Sequence, residues 1–123
     1  MKQRSLVAVV DDDESVRESL PDLLREFGYA AQAFSSAEEF LASGYVGETA
    51  CLILDIAMPG MSGPALLHEL RARRQLVPIV FITAQGDQAL RQRLLDEGAV
   101  ECLFKPFSEG ALLIALNRAA RLV

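Results

Sequence analysis

Five short apolar runs limit what this chain can become. They are "LVAVV" (residues 6–10), a weaker "AAQAF" (30–34), "CLIL" (51–54), "IVFI" (79–82) and "CLF" (102–104), recurring at intervals of roughly twenty-five residues. Runs without regular polar alternation suit strands covered on both faces, as in a parallel sheet. Helical spacing fills the gaps. Val16, Leu20, Leu23, Leu24 and Phe27 line one face of a helix, and Leu66, Leu67 and Leu70, then Leu90, Leu94 and Leu95, line two more. Ser36 with Glu39 three residues on reads as a capping box. Ser62 precedes Gly63-Pro64, a helix start that tolerates proline, and Asp87 and Ser108 are candidate N-caps. Gly28 and Gly98 fall where helices should stop. Five strands alternating with five helices make a doubly wound α/β domain, (βα)5. Right-handed crossovers restrict its topology, and the flavodoxin-like parallel order 2-1-3-4-5 is the natural candidate. Pro21 breaks the pattern of the first helix, where an interior proline costs about 3 kcal/mol. A kink near Arg17–Pro21, or a helix that begins late, is expected.

Composition supports a packed fold. The chain has 123 residues, 51% hydrophobic and 24% charged, which suits one domain with a real core rather than a disordered tail. The formal net charge of −5 disfavours non-specific binding to nucleic acid or to an anionic membrane. The local cluster Arg71, Arg73 and Arg74 reads as a solvated helix end. No apolar run approaches the ~20 residues of a membrane span, and the five-residue run after "MKQR" is too short for a signal peptide. A soluble, cytoplasmic protein is expected. Cys51 and Cys102 give neither metal-ligand spacing nor a disulfide framework.

The polar residues fall at informative places. In open α/β sheets, ligands bind beyond the carboxyl ends of the strands, at the switch in strand order. The first run ends in Asp11-Asp12-Asp13, the third in Asp55, the fourth in Thr83 and the fifth in Lys105-Pro106. The order 2-1-3-4-5 brings these ends to one rim. Carboxylates held together repel, and without a counter-ion one pKa rises. A divalent cation removes that conflict, and oxygen donors without histidine or thiolate favour Mg²⁺ over zinc. A threonine hydroxyl and an opposed ammonium are the further contacts a phosphoryl group takes. Each feature alone has a plainer reading: N-caps for the aspartates, turn chemistry for Asp55 before "MPG", a strand end for Thr83. Their joint arrival at four strand ends argues against it.

In "VVDDDESVR" (9–17), "LILDIAMPGMSG" (52–63), "VPIVFITA" (77–84) and "GAVECLFKPF" (98–107), the sequence resembles the receiver domain of bacterial two-component response regulators. It looks closest to receivers that carry a helix-turn-helix output domain. The resemblance implies a single receiver domain over residues 1–123, whose Asp55 accepts a phosphoryl group from a sensor histidine kinase. It implies that Asp12 ligates Mg²⁺ directly and Asp11 largely through water, with Asp55 and the backbone carbonyl of Ala57 as further ligands. Thr83 would bond a phosphoryl oxygen once Asp55 is modified. Lys105 would pair with the phosphoryl group or, before it arrives, with Asp55, and the Lys105–Pro106 peptide would be cis. Such a domain is a phosphorelay switch whose own chemistry is limited to Mg²⁺-dependent phosphorylation and slow autodephosphorylation. DNA contact would belong to an output domain outside these residues.

Two positions depart from the family pattern. Cys102 stands where an aromatic residue usually precedes the lysine by three, and Phe104 is expected on the opposite face from strand alternation. The cysteine reads as a strand filler rather than a redox sensor. A Cys51–Cys102 disulfide is excluded if strands 3 and 5 flank strand 4. Ala57, two residues after the acceptor, offers no side-chain contact to the site, and Gln85 is a candidate for positioning hydrolytic water. His68 reads as a solvated surface histidine. "ALLIAL" (111–116) is apolar on more sides than one helix face needs, so part of it is expected to await a partner, and the resemblance points to a homodimer through this region. Two rival readings remain: a pseudo-receiver that binds protein without phosphoryl chemistry, and a hydrolase using Asp55. The second lacks a general acid two residues on and any substrate cap.

Overall fold

The structure, a computed structural model, describes residues 5–121. The elements run β1 (Leu6–Val10), α1 (Glu14–Glu26), β2 (Ala30–Phe34), α2 (Ala37–Ala42), a 3-10 turn (Val46–Glu48), β3 (Thr49–Asp55), α3 (Gly63–Ala72), β4 (Ile79–Thr83), α4 (Gln88–Asp96), β5 (Glu101–Phe104) and α5 (Glu109–Ala120). The strands form one sheet in the order β2-β1-β3-β4-β5, every neighbouring pair parallel.

The apolar runs are continuous because both faces of the sheet are covered. Val7, Val9, Cys51, Ile53, Val80 and Ile82 pack with Leu20 and Leu24 of α1 and Leu112, Ala115, Leu116 and Ala119 of α5. Ala8, Val10, Leu52, Leu54, Phe81 and Cys102 pack on the other face with Phe40 of α2, Leu66, Leu67 and Leu70 of α3 and Leu94 of α4. β2 reads weakly because it is an edge strand, and its Gln32 is exposed.

Side chains start the helices as their sequences suggest. Ser36, Ser62, Asp87 and Ser108 each accept a backbone N–H from the first turn that follows. The capping box at α2 is half formed: Ser36 caps the Glu39 N–H, while the Glu39 carboxylate accepts from the Ser35 hydroxyl at 2.8 Å. Gly28 and Gly98 directly follow the C-caps Phe27 and Glu97. Pro21 does not delay α1, which starts at Glu14 and runs through it. The proline ring is buried, so its packing offsets part of the lost hydrogen bond.

Cys51 and Cys102 are free, buried, and on opposite faces of the sheet, which excludes a bridge more firmly than strand separation does. Burial pushes the Cys51 thiol up to about 12 and raises that of Cys102, against the pull of the Arg91 guanidinium, so neither is a reactive thiolate. Phe104 does not face away from Cys102: both belong to the α2–α4 side, and Leu103 is the residue that turns to the other. The physical reason is the period of two, which returns residues i and i+2 to one face. The arginine cluster is exposed, and so is His68, whose Nε2 lies 3.7 Å from the Glu97 carboxylate. In α5, Leu113 and Ile114 are 37% and 59% exposed, while Leu112, Ala115 and Leu116 are buried.

Candidate phosphoryl and metal site

Four strand ends deliver their polar residues to one cavity of about 230 Å³, lined by Asp11, Asp12, Asp55, Ala57, Thr83 and Lys105 among others. The triple aspartate divides its work. Asp11 is fully buried, and its carboxylate accepts from the Asp13 N–H at 2.9 Å and from Lys105 Nζ at 3.1 Å. Asp12 is exposed. Asp13 caps α1, accepting from the Ser15 N–H and hydroxyl at 2.9 and 2.8 Å, which hold its carboxyl below the usual range. The plainer reading of a cap therefore applies to one aspartate of the three. Arg17 reaches back from α1 to donate to the Asp11 carbonyl at 2.9 Å and fixes the entry to the loop.

Asp55 ends β3 and is 8% exposed. Burial raises its pKa, and the neighbouring Asp11 carboxylate raises it further. Lys105 and the Ile56 N–H, which donates to Oδ1 at 2.9 Å, pull the other way, leaving it at about 7. The next helix starts hard against it: a Cβ on Gly63 would run into the Asp55 carbonyl, so only glycine lets α3 begin there.

Thr83 ends β4 and is buried; its Oγ1 accepts the Gln85 N–H at 3.1 Å and keeps its own proton for another acceptor. Lys105 follows β5, tied by its N–H to the Thr83 carbonyl at 2.7 Å, and the Lys105–Pro106 peptide is cis as expected. Its ion pair differs from expectation. In this structure Lys105 pairs with Asp11 rather than Asp55. Asp11 is the more deeply buried carboxylate, so the ammonium removes the larger desolvation penalty there.

The donor set fits a hard cation. Carboxylate oxygens of Asp11, Asp12 and Asp55 lie within 4.8 Å of one another. Two of the three are buried, a repulsive arrangement that one divalent ion would relieve. The Ala57 carbonyl belongs to a residue lining the same cavity. Sequence reasoning did not single out Arg17 or Gly63 for this site. "DDDESVR" contains the arginine, but nothing in the string says that it turns back onto main chain.

The response regulator receiver domain model matches residues 7–117. Nodulation protein W of Bradyrhizobium diazoefficiens is 42% identical over 116 residues, 94% of this chain and 51% of that protein. The chain spans about half the length of several curated relatives it matches. Among solved structures, the response regulator StyR superposes with a TM-score of 0.87 at 47% identity, over 97% of this chain and 60% of that one. FixJ-N does so with a TM-score of 0.87 at 35% identity, over 99% and 98%.

Proposed function

The chain belongs to the response regulator receiver domain family, and from that premise we propose that it is a phosphoacceptor switch in which Asp55 takes a phosphoryl group from a sensor histidine kinase. One observation carries the reading. Asp55 is a buried carboxylate beside a second carboxylate, in a cavity that also presents a hydroxyl and an ammonium. A fold gains nothing in stability from that arrangement, and a phosphoryl acceptor needs each part of it.

Asp11, Asp12, Asp55 and the Ala57 carbonyl would hold Mg²⁺, which when bound neutralises the carboxylates and screens phosphoryl oxygens. The ionised Asp55 attacks phosphorus in line. An Oδ–P bond forms, the P–N bond of the donor breaks, and its electron pair stays on the leaving imidazole nitrogen. The product is an acyl phosphate. Lys105, held against Asp11 at 3.1 Å before reaction, gains a competing partner in the new dianion. The Thr83 hydroxyl has a proton to donate to the same oxygens. These two contacts bias a two-state equilibrium, and moving one from 1:99 to 99:1 takes about 5.5 kcal/mol.

Acetyl phosphate or phosphoramidate with Mg²⁺, followed by intact mass measurement, tests the reading. Wild type should gain one phosphoryl group, and Asp55→Asn none. A wild type that gains nothing would leave a protein-binding module with the fold alone.

Leu113 and Ile114 give α5 an exposed apolar edge, and a homodimer through this region should strengthen when a phosphoryl mimic is added. Sedimentation giving the same monomer with and without the mimic would count against that. The relative FixJ of Azorhizobium caulinodans is a transcriptional regulatory protein, so we assign DNA contact to a separate output domain. Among the described residues no helix is long and apolar enough to cross a membrane, and we propose a cytoplasmic location.

A further inference from the structure

The loop that leaves Asp55 is fastened on its return toward α3 by a side chain from another element. Residues 56–62 carry Ala57 past the cavity and return the chain to α3. The base of the loop is closed by the Gly63 N–H on the Ile56 carbonyl at 2.9 Å, and Met58 is buried in the core. On the return limb, the Met61 N–H donates to Glu38 Oε2 at 3.0 Å, a bond spanning 23 residues of sequence. Among the side-chain hydrogen bonds of the described residues, only the Lys105–Asp11 pair spans more. The carboxylate also lies against Gly60: a Cβ there would stand 2.6 Å from Glu38 Oε2, and Gly60 has φ +75°.

Glu38 stands on a firm base. Its helix is capped by Ser36 and anchored by the fully buried Ala37 and Phe40, the latter edge-on to Phe34 at 5.4 Å. Resting on the phosphoacceptor reading, we propose that Glu38 is a positioning residue for the cation: it holds the loop in the conformation that presents the Ala57 carbonyl to the site. The three aspartates bring their oxygens on side chains set by strand ends. The Ala57 ligand is main chain and has no handle of its own, so its place depends on what fixes the loop. Mg²⁺ demands near-ideal octahedral geometry, which makes its affinity sensitive to that place.

Glu38→Ala and Glu38→Gln test this in the full chain, with Mg²⁺ titrated by calorimetry and Met61 amide exchange followed by NMR in metal-free protein. Glu38→Ala should weaken Mg²⁺ binding about three- to tenfold and speed Met61 exchange by a similar factor. Glu38→Gln keeps an acceptor oxygen and should recover most of both. Unchanged Mg²⁺ affinity in Glu38→Ala overturns the inference. Equal weakening in both variants also overturns it, because lost charge would then explain the effect. A wild type that binds no Mg²⁺ fells the phosphoacceptor reading itself, whereas a wild type and Glu38→Ala that bind it alike fell only the role of Glu38.

Discussion

The two rims of the sheet have hollows of similar size that differ in which polar groups are buried in their walls. The hollow at the amino rim, about 180 Å³, is walled by Leu67, Leu70, Val77, Pro78 and Ile79, and its polar neighbours Arg71 and Gln75 are exposed. The cavity at the carboxyl rim, about 230 Å³, has Asp11, Asp55 and Thr83 buried in its wall. Space alone therefore says little about function. Burying one carboxylate against another costs free energy that an apolar wall avoids, and a fold that accepts the penalty at one rim only has been shaped there by something other than stability.

The sharpest way to break that contrast is to remove the ammonium. Lys105→Met should slow phosphoryl uptake from acetyl phosphate about 10²–10³-fold, the usual loss for one preorganised charge-stabilising donor. Leu76→Ser, at the opposite rim where Leu76 is 87% exposed, should leave the rate unchanged. The time course of the mass gain measures both. Equal rates in the two variants would mean that the carboxyl rim has no privileged chemistry.

The penalty itself is measurable as pH-dependent stability. In the metal-free protein Asp55 has its pKa raised from 3.8 to about 7. Between those values the folded chain holds a proton that the unfolded chain has lost, so stability falls as pH rises. The contribution is complete below 3.8 and gone above about 7. Asp55→Asn has no such loss. At pH 8 the metal-free variant should be more stable than wild type by at most about 4 kcal/mol, and the gap should close toward pH 4. Urea unfolding at both pH values checks it. A gap that does not change with pH would place the strain elsewhere.

The same contrast explains what the sequence made legible. Continuous apolar runs, helical spacing and caps depend on local pattern, and they placed all five strands and brought four polar ends to one rim. What they left open depends on neighbours distant in sequence. The string Asp11-Asp12-Asp13 does not say which carboxylate meets Lys105, because β1 and the end of β5 are brought together only through β3 and β4. The pairing of Lys105 with Asp11 follows from relative burial, which pattern does not report. Nothing in the string singles out Glu38, and its link to Met61 depends on where α2 rests. The side taken by Phe104 was different: a period of two already contained it, and counting from Cys102 gives the face on which the ring packs.

The smallest effect expected at the carboxyl rim belongs to Gln85. Its N–H bonds Thr83 Oγ1 at 3.1 Å, so main chain fixes the start of the side chain beside the cavity it lines. An amide there can orient a water toward the acyl phosphate but can neither take nor give the proton of hydrolysis. Gln85→Ala should therefore slow dephosphorylation only about two- to fivefold, well short of the ~10²-fold or more that a general base contributes. Alanine keeps the backbone N–H, so the bond to Thr83 survives and the rate of phosphoryl uptake should hold. Following the decay of the phosphorylated mass after the donor is removed separates the two steps. A dephosphorylation rate identical to wild type would show that water reaches the phosphoryl group without help from this side chain, leaving Thr83 and Lys105 as the groups that tune its lifetime.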